Sequence, residues 1–228
     1  MDYSYTDIAG LIDHSLLQPN LTDAEMDDGC RLAVRYATAS VCIKPYYVAR
    51  AAELLRGSKV AVGTTIGFPH GGHASTVKLL ESELALDDGA TELDMVVNIG
   101  QVLAGNWNAV TDEIRQICRL AHGRNGLVKV IFENCYLKDE HKIRLCQACV
   151  EAEADYVKTS TGYGSGGATF DDLMLMRKHT PPQMGVKAAG GVRDLDMLLA
   201  VRAIGVTRVG ASKTAEILEE CKRRLEGK

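Results

Sequence analysis

Three observations predict an α/β protein of the (β/α)8 TIM-barrel class with a short N-terminal capping helix. Eight short runs rich in Val, Ile and Thr alternate with longer stretches of helical period. The dipeptide Val-Lys recurs at 128/129, 157/158 and 186/187, two equal steps of 29 residues, the length of one strand, loop and helix. No linker, low-complexity tract or break in composition interrupts the alternation, so residues 1–228 read as one barrel domain. An open, doubly wound sheet is the alternative, because strand count alone does not prove closure.

The strand candidates are LIDHSLL (11–17), ASVCIKP (39–45), KVAVGTTIGFP (59–69), TELDMVVNIG (91–100), LVKVIFEN (127–134), ADYVKTSTG (154–162), MGVKAAGGV (184–192) and GVTRVGAS (205–212). They read as nearly apolar throughout, the pattern of parallel strands buried on both faces. The stretches between them, such as TDAEMDDGCRLAVRYA and VRDLDMLLAVRAIG, include several that open on an acidic or hydroxyl residue and stop at glycine. The start, MDYSYTDIAG, is expected to form the short helix that caps the barrel bottom. The three Val-Lys lysines are expected at similar heights on neighbouring strands.

Hydrophobic residues make up 46% of the chain and charged residues 25%, an ordinary globular balance. A net charge of -4 without a basic block argues against binding to nucleic acid or to an anionic membrane surface. No apolar run reaches the length of a membrane span, and the start lacks the pattern of a signal peptide, so a cytoplasmic protein is expected. The seven cysteines are odd in number and scattered, which fits reduced thiols. CQAC (146–149) sits inside a helical pattern with no second pair and reads as two small helix residues rather than a zinc or redox motif. His70 and His73 have no carboxylate or cysteine beside them, so no metal site is expected there. Trp107 and the few other aromatics form no stacking platform for bases.

In such a barrel the chemistry lies at the C-terminal ends of the strands and in the loops that follow. Lys158 and Lys187 sit there on consecutive strands, each followed by small residues and glycines. One such lysine reads most simply as snorkelling outward between helices; two at matched positions read as a site. Two ammonium groups about 5.5 Å apart at an effective dielectric of about 20 repel by about 3 kcal/mol, roughly two pKa units. With desolvation added, one of them becomes a neutral amine able to form a Schiff base with an aldehyde or ketone. Asp94, in ELDMVV, is the candidate proton carrier; a structural ion pair with Lys187 or Lys129 is compatible with that role. If Asp94 lies nearer Lys187, it keeps that lysine charged while Lys158 loses its proton. Cys42 reads either as a small buried hydrophobe or as a thiol facing the mouth.

Three glycine-bearing loops follow the last three strands: TGYGSGGAT, AAGGVRDL and VGASKTAEIL. The last two of these loops and a helix N-terminus commonly hold a phosphate in barrels. Gly190, Gly191, Gly210 and Ser212 form the expected cradle, with Gly162 closing it. None of the loops ends in the Gly-Lys-Ser/Thr of a Walker motif.

VKTSTGYGSGGAT, VKAAGGVRD, ELDMVVNIG, TTIGFPHG, DHSLL and VGAS together resemble the deoxyribose-phosphate aldolases, metal-independent lysine aldolases of deoxynucleoside breakdown. The resemblance runs from the first strand to the eighth, and KTSTG paired with KAAGG is highly specific. It implies that Lys158 is the Schiff-base lysine, Lys187 the second lysine and Asp94 the proton relay, and that Asp13 and Lys129 line the substrate channel. Thr161 is a further expected substrate contact. The implied reaction is reversible cleavage of 2-deoxy-D-ribose 5-phosphate to acetaldehyde and D-glyceraldehyde 3-phosphate, without metal or organic cofactor, in a homodimer or homotetramer. Two features depart from the pattern. Lys213 follows Ser212 where many relatives carry a small or hydroxyl residue. The last residues, CKRRLEGK, hold no tyrosine tail of the kind some members fold over the site, which bears on proton transfer. The alternatives are a phosphosugar isomerase or epimerase with Asp94 as base, or a non-catalytic phosphosugar-binding barrel.

Overall fold

The structure, a computed structural model, describes residues 3–227. Strands β1 (Ile12–Leu16), β2 (Ser40–Ile43), β3 (Ala61–Ile66), β4 (Glu92–Val96), β5 (Leu127–Ile131), β6 (Tyr156–Lys158), β7 (Gly185–Ala189) and β8 (Arg208–Ala211) pair in chain order, all parallel. β8 pairs with β1, so the sheet is a closed barrel and not an open doubly wound one. Helices α1 (Tyr5–Ala9), α2 (Asp23–Tyr36), α3 (Val48–Leu54), α4 (Ser75–Asp87), α5 (Ile99–Leu103), α6 (Trp107–His122), α7 (Asp139–Glu151), α8 (Phe170–Lys178), α9 (Leu195–Ala203) and α10 (Thr214–Glu226) complete the chain. Only the β4 to β5 connection carries two of them, α5 and α6.

Local chemistry sets several of these boundaries. Thr22 opens α2 with a capping box: its side chain takes the Glu25 N–H while the Glu25 carboxylate takes the Thr22 N–H. Ser4 and Asp7 do the same for α1, which buries Ile8 and Ala9 and packs against α10. Met1 and Asp2, also expected in this helix, lie outside the described residues.

The strands alternate in a way their apolar appearance conceals. Ile12, Val41, Val62, Leu93, Val128, Val157, Val186 and Val209, one from each strand, join a single apolar layer with helix residues such as Met26, Val48, Ile114, Leu145, Leu173, Leu198 and Ile217. Each fully buried side chain of this size stabilises the fold by roughly 2 kcal/mol. The intervening positions point into the barrel, where Asp13, Glu92, Asp94, Lys129, Lys158, Lys187 and Arg208 meet. Barrel interiors are ordinarily packed with Val, Ile and Leu; this one is ionic. The expectation of strands apolar on both faces therefore holds only for the outer face. Runs this short keep an apolar look even with one or two inward charges.

A second expectation also changes. Lys158 stands directly opposite Lys187 in the register, but Lys129 stands opposite Tyr156, two residues below Lys158. Equal sequence spacing does not give equal height, because a closed barrel staggers its strands.

Cys146 and Cys149 are both buried in the apolar layer, where burial pushes the Cys146 thiol up to about 12 and Cys149 well above its ordinary value. These thiols stay protonated and pack. Trp107 packs at the start of α6 with the Arg144 guanidinium 5.5 Å from its ring.

His14, next to Asp13 on β1, is buried, and its Nδ1 lies 2.8 Å from the Thr214 hydroxyl. Burial lowers its pKa to about 4, against a smaller opposing pull from Glu216. The folded value lies below the unfolded one of about 6.5, so this contribution is present above pH ~6.5 and is lost as pH falls toward 4. At about 1.4 kcal/mol per unit the loss amounts to a few kcal/mol. Urea unfolding at pH 7 and at pH 5 checks this: the wild type loses more stability between them than His14→Asn, which does not titrate.

Candidate active site

The site is assembled from the inward residues of seven strands. Asp94 on β4 is fully buried and takes charge from both sides. Its Oδ1 lies 3.0 Å from the Lys129 Nζ, and its Oδ2 lies 2.6 Å from both the Lys158 and the Lys187 Nζ. Asp13 on β1 supplies a second carboxylate, with Oδ2 at 2.5 Å from Lys187 and 3.0 Å from Lys129. Beneath them Glu92 pairs with Lys129 and, at 2.9 Å, with Arg208, which also bonds Asp13 and stacks over Tyr156. The Ser40 hydroxyl donates to Asp13 at 2.7 Å.

Three carboxylates, Asp13, Glu92 and Asp94, thus face four cations, Lys129, Lys158, Lys187 and Arg208. One cation is in excess, and its identity follows from the contacts. Burial lowers the pKa of each lysine, and carboxylates oppose it. Lys129 touches three carboxylates and Lys187 two; both end above the ordinary lysine value. Lys158 touches only Asp94, and burial, reinforced by the Lys187 charge, leaves it below. Burial pushes the Asp94 and Asp13 carboxyls up, but the surrounding cations outweigh it and hold both far below the usual carboxylate range. Asp94 does not lie nearer Lys187: it is equidistant from the two lysines, and the difference between them comes from Asp13.

Above this network lies a cavity of about 360 Å³, with Lys158, Lys187, Asp13 and Cys42 among its lining residues. Cys42 lies 3.9 Å from the Asp94 carboxylate; burial first, then that carboxylate, raise its thiol to about 11, so it is no thiolate at neutral pH. Gly162, Gly190, Gly191, Gly210 and Ser212 all line the same cavity. Gly190 and Gly191 have φ of +77° and +107°, where a Cβ is disfavoured. A Cβ on Gly167 would stand 2.2 Å from the Gly190 carbonyl oxygen, so the loops after β6 and β7 touch backbone to backbone. Ser212 lies just ahead of α10, whose first N–H groups have no intrahelical acceptor.

Lys129 is fully buried below the cavity and does not line it; its contacts are the three carboxylates. Thr161 lines it, but its hydroxyl is already committed, to Glu133 from the segment after β5 and to the Tyr163 N–H. Lys213 pairs with Glu216 at 2.9 Å and stays off the cavity wall. Sequence reasoning missed Arg193, whose exposed side chain lines the cavity beside the paired glycines and meets no carboxylate among the described residues. Its place directly after AGGV was the available signal. Glu92 and Arg208 were also missed, since a charge at a strand start looks like a strand boundary.

Competitive amine labelling across pH, read peptide by peptide, is expected to give Lys158 an apparent pKa below that of the exposed lysines. Lys187→Met removes a repelling charge and moves it upward. A Lys158 that titrates with the surface lysines contradicts this electrostatic assignment.

Residues 8–212 match the family described as DeoC/LacD family aldolase. The deoxyribose-phosphate aldolase of Rhodopirellula baltica is 58% identical over 224 residues, covering 98% of this chain and 93% of that protein. A solved structure titled "QR15, an Aldolase" superposes with a TM-score of 0.92 at 34% identity, covering 97% of this chain and 99% of that one. The tetrameric deoxyribose phosphate aldolase of Aeropyrum pernix superposes with a TM-score of 0.89 at 33% identity, covering 96% and 92%. The barrel fold is thus shared with solved aldolases, and the chain belongs to the DeoC/LacD family of aldolases.

Proposed function

We propose that this protein reversibly cleaves 2-deoxy-D-ribose 5-phosphate to acetaldehyde and D-glyceraldehyde 3-phosphate, with Lys158 as the imine-forming amine. The observation that carries this reading is the divergence of two register-paired lysines at the cavity floor: Lys187 holds two carboxylates and Lys158 one. The neutral Lys158 amine adds to the substrate aldehyde carbon, and loss of water gives the iminium. The C3 hydroxyl then gives up its proton as the C2–C3 bond breaks, and that electron pair flows into the iminium to form an enamine. Glyceraldehyde 3-phosphate leaves; protonation of the enamine at C2 and hydrolysis release acetaldehyde and restore the amine. The iminium is itself the electron sink, so the chemistry calls for no metal or organic cofactor.

Asp94 and Lys187 touch each other, and Asp94 touches Lys158, which suits the pair to move protons at the Lys158 nitrogen and the neighbouring carbon. Asp13 serves by keeping Lys187 charged. Gly162, Gly190, Gly191, Gly210 and Ser212 offer backbone N–H groups and a hydroxyl to the phosphate, and Arg193 offers the charge. A cytoplasmic homo-oligomer fits the reduced thiols and the tetrameric relative from Aeropyrum pernix.

Mass spectrometry after incubation with acetaldehyde and sodium borohydride tests the assignment. One adduct is expected on Lys158, absent in Lys158→Ala; adducts only on scattered surface lysines would favour a phosphosugar isomerase or a binding barrel instead. Arg193→Gln is expected to raise KM for the phosphorylated substrate about tenfold to a hundredfold, the weight of one charged hydrogen-bonding group, with little change in borohydride trapping.

A further inference from the structure

A chain of contacts crosses the barrel mouth, and neither the lysine chemistry nor the proposed phosphate cradle uses it. It begins at Glu133, just after β5, which is 2% exposed and holds a left-handed backbone with φ 56° and ψ 63°. That conformation is uncommon for a non-glycine residue. The Glu133 carboxylate accepts from the Thr161 N–H at 3.2 Å and from the Thr161 hydroxyl. With its one proton given to Glu133, the Thr161 oxygen accepts from the Tyr163 N–H at 2.9 Å. The direction of the chain is therefore set.

Tyr163 continues it to the far side. Its hydroxyl donates to the Leu17 carbonyl at 2.8 Å, just after β1. Its ring meets Phe68, just after β3, edge-on, with centroids 5.4 Å apart and planes at 87°. In the closed order of eight strands, β6 stands opposite β2, and β1 and β3 flank β2. One side chain from the loop after β6 thus reaches both flanks of the opposite wall. The ring is 46% exposed, so these contacts and not burial hold it in place. The cavity it borders is lined from β1, β2, β6, β7, β8 and the loops that follow them, with no residue from β3, β4 or β5.

We propose that Tyr163, held by Glu133 and Thr161, is a specificity-determining residue that walls the cavity off from the β3–β5 half of the mouth and so limits the length of the acceptor aldehyde. This rests on the aldolase reading. The acetaldehyde unit stays at Lys158, whereas the far end of the acceptor meets the ring. Without the ring, an unbranched apolar acceptor can extend toward Phe68.

The test compares kcat/KM in the carbon-carbon bond-forming direction for hexanal and for glyceraldehyde 3-phosphate. Tyr163→Ala is expected to raise the hexanal to glyceraldehyde 3-phosphate ratio at least about tenfold, and Tyr163→Phe, which keeps the ring but loses the Leu17 bond, by less. An unchanged ratio, with both acceptors slowed alike, overturns the proposal, since a merely structural role predicts that outcome. Hydrogen exchange of residues 161–169 reads the strap without any reaction: Glu133→Gln is expected to speed it about tenfold, and unaltered protection overturns the strap. Tyr163→Phe keeps the ring packed against Phe68 and serves where Tyr163→Ala fails to fold. Borohydride trapping of acetaldehyde on the wild-type protein, run in parallel, fails only if the aldolase reading itself is wrong.

Discussion

Charge balance inside a closed barrel is the constraint on which the other features depend. Three carboxylates and four cations are buried together, Arg208 in part, so the network is neutral only when one cation gives up its proton. The contacts assign that proton to Lys158, which has one carboxylate where Lys187 has two. Reactivity is thus a residue of the bookkeeping of the whole interior and not a property of one lysine. The same network demands space. Gly185 lies under the Tyr156 ring, where a Cβ would come within 2.1 Å.

An ionic interior also relocates what holds the fold together. Replacing a buried ion cluster with apolar side chains is often neutral or stabilising, whereas removing one partner from it costs about 3–5 kcal/mol. The cohesion of this barrel therefore lies in the ring-shaped apolar layer between strands and helices, from Ile12 and Val41 round to Val209. The interior is left to chemistry. His14 and Asp13 show the division at adjacent positions on one strand: the first faces the helices and is kept neutral, the second faces the axis and is kept charged.

What could be read from the chain follows the same division. Lys158 and Lys187 were legible because each interrupts an apolar run just before a glycine loop, and Asp94 because a carboxylate in ELDMVV needs a cation. The paired glycines and Ser212 were legible as loops at strand ends. The stagger of β5 against β6, which drops Lys129 below the cavity, depends on closure and leaves no trace in local spacing. The work of Asp13 was hidden for the same reason: only the register brings β1 next to β8 and within reach of Lys187. Glu133 was hidden because its partner, Thr161, lies 28 residues away across a helix.

The contact between Gly167 and Gly190 has a consequence for how such a barrel can be altered. Modular exchange of single loops is the usual route by which one scaffold comes to serve many reactions. Here the segments after β6 and β7 interlock through their main chains, and the Ala168 N–H lies 3.1 Å from the Ala189 carbonyl and 2.8 Å from the Gly190 carbonyl. An insertion in one would prise open the other. For grafting or recombination, these two segments form one cassette, to be transplanted together or left in place.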